Sequence, residues 1–98
     1  MVGMNEVFQA LSDPTRREIL RLLRNGDMTA GEIADQFSLA KSTLSGHFNV
    51  LKHAELIVAE KNGTTVVYSL NVSAVEQALA AVMNLLAVGK QVETRAKT

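Results

Sequence analysis

The sequence predicts a mainly α-helical domain with a small β-hairpin, arranged as a winged helix-turn-helix. Residues 30–53 carry apolar side chains at helical spacing on both sides of a short turn, as in two consecutive helices. Residues 56–70 then contain two strand-like runs separated by Asn62-Gly63, a dipeptide typical of two-residue hairpin turns. A hairpin directly after a helix pair has the outline of a winged helix.

Length and composition favour a single domain spanning residues 1–98. Of these residues 47% are apolar and 20% charged, enough for one modest core. The absence of cysteine excludes disulfides and thiolate metal sites. Ten basic and ten acidic residues give zero net charge, which argues against nonspecific polyanion binding. We see no signal peptide and no run long enough to span a bilayer, and so expect a cytoplasmic protein without membrane insertion.

The N-terminal part predicts two helices. Apolar residues indicate the first within residues 1–11, and Asp13-Pro14 indicates the start of the second, because aspartate caps helices and proline suits the first helical position. The second helix carries four outward arginines: Arg16, Arg17, Arg21 and Arg24. They are candidates for phosphate contacts, but Asp13, Glu18 and Asp27 are near enough to pair with them, and we favour pairing.

The helix pair follows at residues 30–53. Thr29 and Glu32 form a capping box at its start. We expect a three-residue turn at residues 38–40, with Leu39 filling the angle between the two helices.

The second helix of the pair has an informative outer face. Leu44, Phe48 and Leu51 form its apolar stripe, and Gly46 lies at the centre of the opposite, polar face. Glycine inside a helix costs about 1 kcal/mol relative to alanine, which close approach of another surface would offset. No acidic residue lies within Gln36 to Ala54, so this face suits a DNA major groove, whose base edges offer donors and acceptors. The alternative is an ordinary solvated helix in a helical bundle.

The wing and the last helix complete the chain. In the hairpin, Val66, Tyr68 and Leu70 alternate and should pack on the helices. Ser73 and Glu76 form a second capping box for the last helix.

We expect that helix at residues 74–90, followed by a polar tail at 91–98. Residues 74–89 are nearly all apolar, more than a monomer of this size can cover, so we predict a homodimer that buries both terminal helices, 1–11 and 74–90. The alternative is that both helices pack within one chain. The expected interface residues are Val7, Phe8, Val75, Leu79, Val82, Met83 and Leu86.

Four segments resemble the ArsR/SmtB family of prokaryotic winged-helix repressors, and within it the metal-independent autorepressors. They are FQALSDPTRREIL at residues 8–20, TAGEIA at 29–34, SGHFNVLK at 45–52 and YSLN at 68–71. The resemblance implies a homodimer that places the helix from Lys41 to His53 in the major groove of a palindromic operator.

By position, the resemblance implies base contacts from the polar residues of that helix and phosphate contacts from its lysines. Together with the wing tip, the expected DNA-binding residues are Lys41, Ser42, Thr43, Ser45, Gly46, His47, Asn49, Lys52, Lys61 and Thr64. The chain departs from the family pattern at Gly46, where histidine is frequent, and at Glu55, where glycine is frequent. These departures bear on the operator sequence and on affinity.

The predicted function is sequence-specific DNA binding by a transcriptional regulator, a repressor acting as a homodimer on an inverted repeat. A protein-interaction module without DNA specificity is the alternative, because fold alone does not decide function. An enzyme is disfavoured, since Ser45 and His47 lie about 200° apart around their helix and cannot form a nucleophile–base pair. We expect no metal or other cofactor, because cysteine is absent and no histidine follows His53. The sequence leaves open whether an unidentified effector or a partner protein also binds.

Overall fold

The computed structural model describes residues 3–87, which form five α-helices and three β-strands. In chain order these are α1 (Met4–Leu11), α2 (Pro14–Leu23), β1 (Met28–Thr29), α3 (Ala30–Ala34), α4 (Lys41–His53), β2 (Ile57–Asn62), β3 (Thr65–Leu70) and α5 (Val72–Leu86). This order confirms the predicted mainly α-helical, winged helix-turn-helix class. The end of the predicted 74–90 helix and the predicted tail at 91–98 lie outside the described residues.

Local capping explains where the helices begin. The Asp13 carboxylate accepts hydrogen bonds from the backbone N–H groups of Thr15 (2.8 Å) and Arg16 (3.1 Å), as a helix N-cap does. At α3 the predicted capping box is present: Thr29 Oγ1 accepts from Glu32 N (3.0 Å), and Glu32 Oε1 accepts from Thr29 N (2.8 Å).

The last helix begins earlier than predicted. Asn71 is its N-cap, and its side-chain oxygen accepts from the Ala74 backbone N–H at 3.3 Å. The predicted capping box of Ser73 and Glu76 is therefore wrong, because asparagine at the strand end already satisfies a free N–H of the first turn.

A small sheet holds the wing. Its strand order is β1-β3-β2, and β1 adds a third strand that the sequence did not predict. Asn62 pairs with Thr65, so the two-residue turn is Gly63-Thr64 and not the predicted Asn62-Gly63. Gly63 has a φ of 62°, and glycine at the first central position is typical of type II′ turns.

One apolar core joins the helices and the sheet. Its buried members are Ala10, Ile19, Leu23, Ile33, Leu44, Phe48, Leu51, Ala54, Leu56, Ile57 and Tyr68. Val66 and Leu70 pack against this core beside Tyr68, which confirms the predicted inner face of the wing.

The connection between α3 and α4 is longer than predicted. α3 ends at Ala34, so residues 35–40 connect the helices where a three-residue turn at 38–40 was expected. Phe37 leaves the helix, because its N–H bonds to the Ala34 carbonyl three residues back, yet it still packs on the core. Leu39 is 40% exposed and does not fill the angle between the helices.

Candidate nucleic-acid interface

Three buried side chains set the orientation of α4. Leu44, Phe48 and Leu51 are at most 5% exposed, and the Phe48 ring stacks on Tyr68 with centroids 4.4 Å apart. Because α4 is anchored along this stripe to the core and to β3, its opposite face is held outward.

That opposite face brings most of the predicted DNA-binding residues together. Seven of them are exposed on α4: Lys41, Ser42, Thr43, Ser45, Gly46, Asn49 and Lys52. Lys61 and Thr64 are also exposed, but they lie on the hairpin, a separate element. We call the α4 set the outer face of α4.

Gly46 is not required by the packing of the chain itself. A Cβ atom built at this position meets no heavy atom within 4 Å. The conformational cost of a helical glycine is therefore not offset by any contact among the described residues.

His47 lies elsewhere than the sequence prediction placed it. It is half-buried, and its Nδ1 lies 3.1 Å from Arg16 Nη1 and 3.8 Å from a carboxylate oxygen of Asp13. The ring faces the start of α2 instead of the outer face of α4. The sequence held a signal for this placement. His47 is three residues after Leu44 and four residues before Leu51, and residues at these spacings lie on the same side of a helix.

Two arginines of α2, Arg16 and Arg17, donate to backbone carbonyls of α1, partners that the sequence did not predict. Arg16 donates from Nε to Ala10 O (2.9 Å) and from Nη2 to Gln9 O (2.7 Å), and Arg17 donates to Leu11 O (2.7 Å). These carbonyls lie at the C-terminus of α1, where intrahelical donors run out and positive charge is favourable; Gln9 O also accepts from the Ser12 N–H and hydroxyl.

The predicted pairing of the α2 arginines with acidic side chains is seen for one of them among the described residues. Arg21 pairs with Glu18 one turn away on the exposed surface of α2. Helix α1 has no basic residue in its last turn, which is the sequence signal that its carbonyls need donors from elsewhere.

Asp13 carries a lowered pKa. Desolvation by neighbouring atoms raises the pKa of its carboxyl, but hydrogen bonds from the Arg16 and Thr15 N–H groups, the positive charge of Arg16 and that of His47 when its ring is protonated outweigh this effect. The carboxylate therefore remains charged at the N-terminus of α2, where negative charge is favourable.

The terminal helices leave apolar surface exposed. No residue of α5 is fully buried, and the exposed fractions of Leu79, Met83 and Leu86 are 60%, 46% and 60%. On α1, Phe8 is 45% exposed. Val7, by contrast, is buried within the chain.

Two further predicted interface residues, Val75 and Val82, are half-buried, and Val75 packs against the core. Between α1, α5 and the end of α4 lies a groove of about 360 Å³, lined mainly by small and apolar side chains and by Glu55.

Residues 3–87 contain no group of three or more His, Asp or Glu side chains placed to hold a metal ion. Within the same residues, no helix is long and apolar enough to cross a membrane.

Comparison with known proteins identifies the family. Residues 13–58, from the cap of α2 to the start of β2, match the family model described as bacterial regulatory protein, arsR family. The transcriptional repressor SdpR of Bacillus subtilis (strain 168) is 46% identical over 86 residues, which cover 88% of this chain and 96% of SdpR. This chain belongs to the arsR family.

Other members extend the likeness. The arsenical resistance operon repressor of Staphylococcus xylosus is 38% identical over 69% of this chain and 65% of its own length. The solved structure of an ArsR-like transcriptional regulator from Rhodococcus sp. RHA1 has a TM-score of 0.78 at 26% identity, covering 95% of this chain and 87% of that one. The predicted family resemblance is thereby confirmed. The chain is a DNA-binding transcription regulator of the arsR family, and the prediction that it is not an enzyme is confirmed by this membership.

Proposed function

We propose that this arsR-family regulator is a repressor that binds an inverted-repeat operator as a homodimer, with α4 of each copy in the major groove. The observation that carries the proposal is the outer face of α4, which is exposed, free of carboxylates and built of short polar side chains around Gly46. Base edges in the major groove offer donors and acceptors to such side chains. Binding to chromosomal DNA would place the protein in the cytoplasm.

The side chains divide by chemistry. Ser42, Thr43, Ser45 and Asn49 are short hydrogen-bonding groups suited to base edges, whereas Lys41 and Lys52 suit phosphates. Lys61 and Thr64 on the hairpin would add contacts outside the groove. With few lysines in contact, the dependence of affinity on salt should be shallow, because each neutralised phosphate contributes to the slope.

Dimerisation is supported by the apolar surface of the terminal helices. Phe8, Leu79, Met83 and Leu86 are 45–60% exposed, and large apolar patches are rare on the surfaces of soluble monomers. Val7, on α1, is buried within its own chain and is therefore not part of this exposed surface. If a twofold axis relates two copies of α4, their half-sites should lie about 34 Å apart, one turn of DNA.

Selection of bound sequences from a random duplex library, combined with light scattering, tests this proposal. We expect enrichment of an inverted repeat and a mass of two chains. A monomer that enriches no sequence would contradict the proposal and favour a protein-interaction module.

Matched serine variants test the assigned face. Ser45→Ala removes an exposed hydroxyl from α4, and Ser73→Ala removes one from α5. We expect Ser45→Ala to weaken binding to the selected operator by about 1 kcal/mol, the scale of one neutral hydrogen bond, and Ser73→Ala to leave it unchanged. Gly46→Glu, which puts a carboxylate at the centre of the face, should abolish binding. Equal affinities for all these variants would show that the outer face of α4 does not contact DNA.

A further inference from the structure

Arg16 connects three helices through one guanidinium group. Its Nε and Nη2 donate to the Ala10 and Gln9 carbonyls at the end of α1, at 2.9 and 2.7 Å. Its Nη1 lies 3.1 Å from Nδ1 of His47 on α4. Arg16 itself belongs to the first turn of α2, which Asp13 caps. A planar guanidinium with three fixed partners holds these helices at defined angles.

The contact with Arg16 determines the protonation of the His47 ring. A guanidinium group only donates and stays charged, so Nδ1 of His47 must accept, and the neutral ring carries its proton on Nε2. A ring protonated at both nitrogens would instead direct Nδ1–H toward Asp13, 3.8 Å away, and would face Arg16 as a like charge.

The second histidine shows the opposite arrangement. Nδ1 of His53 lies 3.0 Å from the carbonyl oxygen of Asn49, which can only accept, so this nitrogen carries the proton. The chain has two histidines in all, and they should differ in their neutral tautomer.

We propose that His47 is a positioning residue that acts on DNA binding through Arg16, fixing α4 against α1 and α2, and that it does not itself contact a base. This inference rests on the proposed DNA-binding function. It follows that the base preference of the protein is set by the exposed residues of α4, while the Arg16–His47 contact sets how well all of them are presented together.

A double-mutant cycle measured by DNA titration tests the proposal. His47→Phe keeps a ring but removes the acceptor, and Arg16→Lys keeps the charge but cannot serve three partners. Each should weaken binding to every sequence alike, about tenfold, as expected for loss of one charge-assisted hydrogen bond. The double variant should be no weaker than the weaker single variant, because both remove the same contact.

His47→Asn provides the rescue. Its side-chain oxygen takes the place of Nδ1 and accepts from Arg16, so affinity and preferred sequence should stay near those of the unaltered protein. The proposal would be overturned if the losses of affinity of the two single variants multiply in the double variant. A changed preference at one base position in His47→Asn would overturn it as well.

A measurement without DNA separates this proposal from the proposed function. Nitrogen-15 NMR of the imidazoles at about pH 8, where most histidines are neutral, should show Nδ1 unprotonated in His47 and protonated in His53. Arg16→Lys should change the His47 signals and leave those of His53 unchanged. A protonated Nδ1 in His47 overturns the contact, even if DNA binding succeeds. The expected tautomers in a protein that binds no DNA overturn the proposed function and, with it, the positioning role.

Discussion

Replacing Gly46 with alanine should stabilise the protein and at the same time weaken its binding to DNA. Gly46 is an exposed interior residue of the 13-residue helix α4, and the added methyl group meets nothing within 4 Å. The free energy of unfolding should therefore rise by about 1 kcal/mol, the difference in helix propensity. For a domain of this size, that corresponds to a melting temperature higher by about 4–8 °C.

The same methyl group should impair DNA binding. If the backbone at Gly46 approaches base edges closely, a Cβ atom separates the two surfaces and disturbs neighbouring contacts. We expect a loss of about tenfold or more, the scale of one base contact. Thermal denaturation at matched protein concentration measures the first effect, and fluorescence anisotropy with a labelled operator measures the second.

Gly31→Ala is the matched control. The same exchange in α3 places its Cβ at an ordinary distance of 3.9 Å from the Thr29 hydroxyl oxygen, away from the outer face of α4. It should leave the affinity for DNA unchanged. Unchanged affinity of Gly46→Ala would refute the idea that this glycine serves close approach to DNA. Loss of stability would refute the claim that nothing within the chain needs it.

Three further predictions concern charge and assembly. The lowered pKa of Asp13 means that its charge contributes stability above the usual carboxyl pKa of 3.8, which is lost as pH falls through the lower folded value; the difference in melting temperature between the unaltered protein and Asp13→Asn should therefore shrink in acid. Burial raises the pKa of Tyr68 above 10.0, so phenolate absorbance of this single tyrosine should appear at higher pH in the folded than in the urea-unfolded chain, and coincident titrations would contradict its burial. Leu79→Glu, at a side chain 60% exposed, should yield monomers in sedimentation and lower the helical circular dichroism signal, because α5 loses its partner; persistence of dimers would place the interface elsewhere.

Local signals were sufficient for much of the fold. Asp13-Pro14 and the pair Thr29 and Glu32 marked helix starts correctly, because a cap involves residues only two or three apart. The stripe of α4 was equally readable, since helical periodicity alone separates its buried and outer faces.

What depended on tertiary contacts was not predictable. The hairpin turn moved by one residue because both Asn62-Gly63 and Gly63-Thr64 suit a two-residue turn, and the pairing of Asn62 with Thr65 decides between them. The two-residue strand β1 exists only through pairing with β3. Arg16 reaches the carbonyls of α1 across the connection between α1 and α2 at Asp13. Helical periodicity does not continue across this connection, so the sequence pattern could not predict the contact.

Helix α5 has a consequence for how the protein responds to its own abundance. A segment of 15 residues with no fully buried side chain gains little from its own chain, and isolated helices of that length are marginal in water. If two copies associate through α5 as proposed, its order depends on the second molecule, and dilution should then erode helix content as well as association. In such a dimer, folding of α5 and association would be coupled, and occupancy of DNA should rise more steeply than in proportion to the protein concentration.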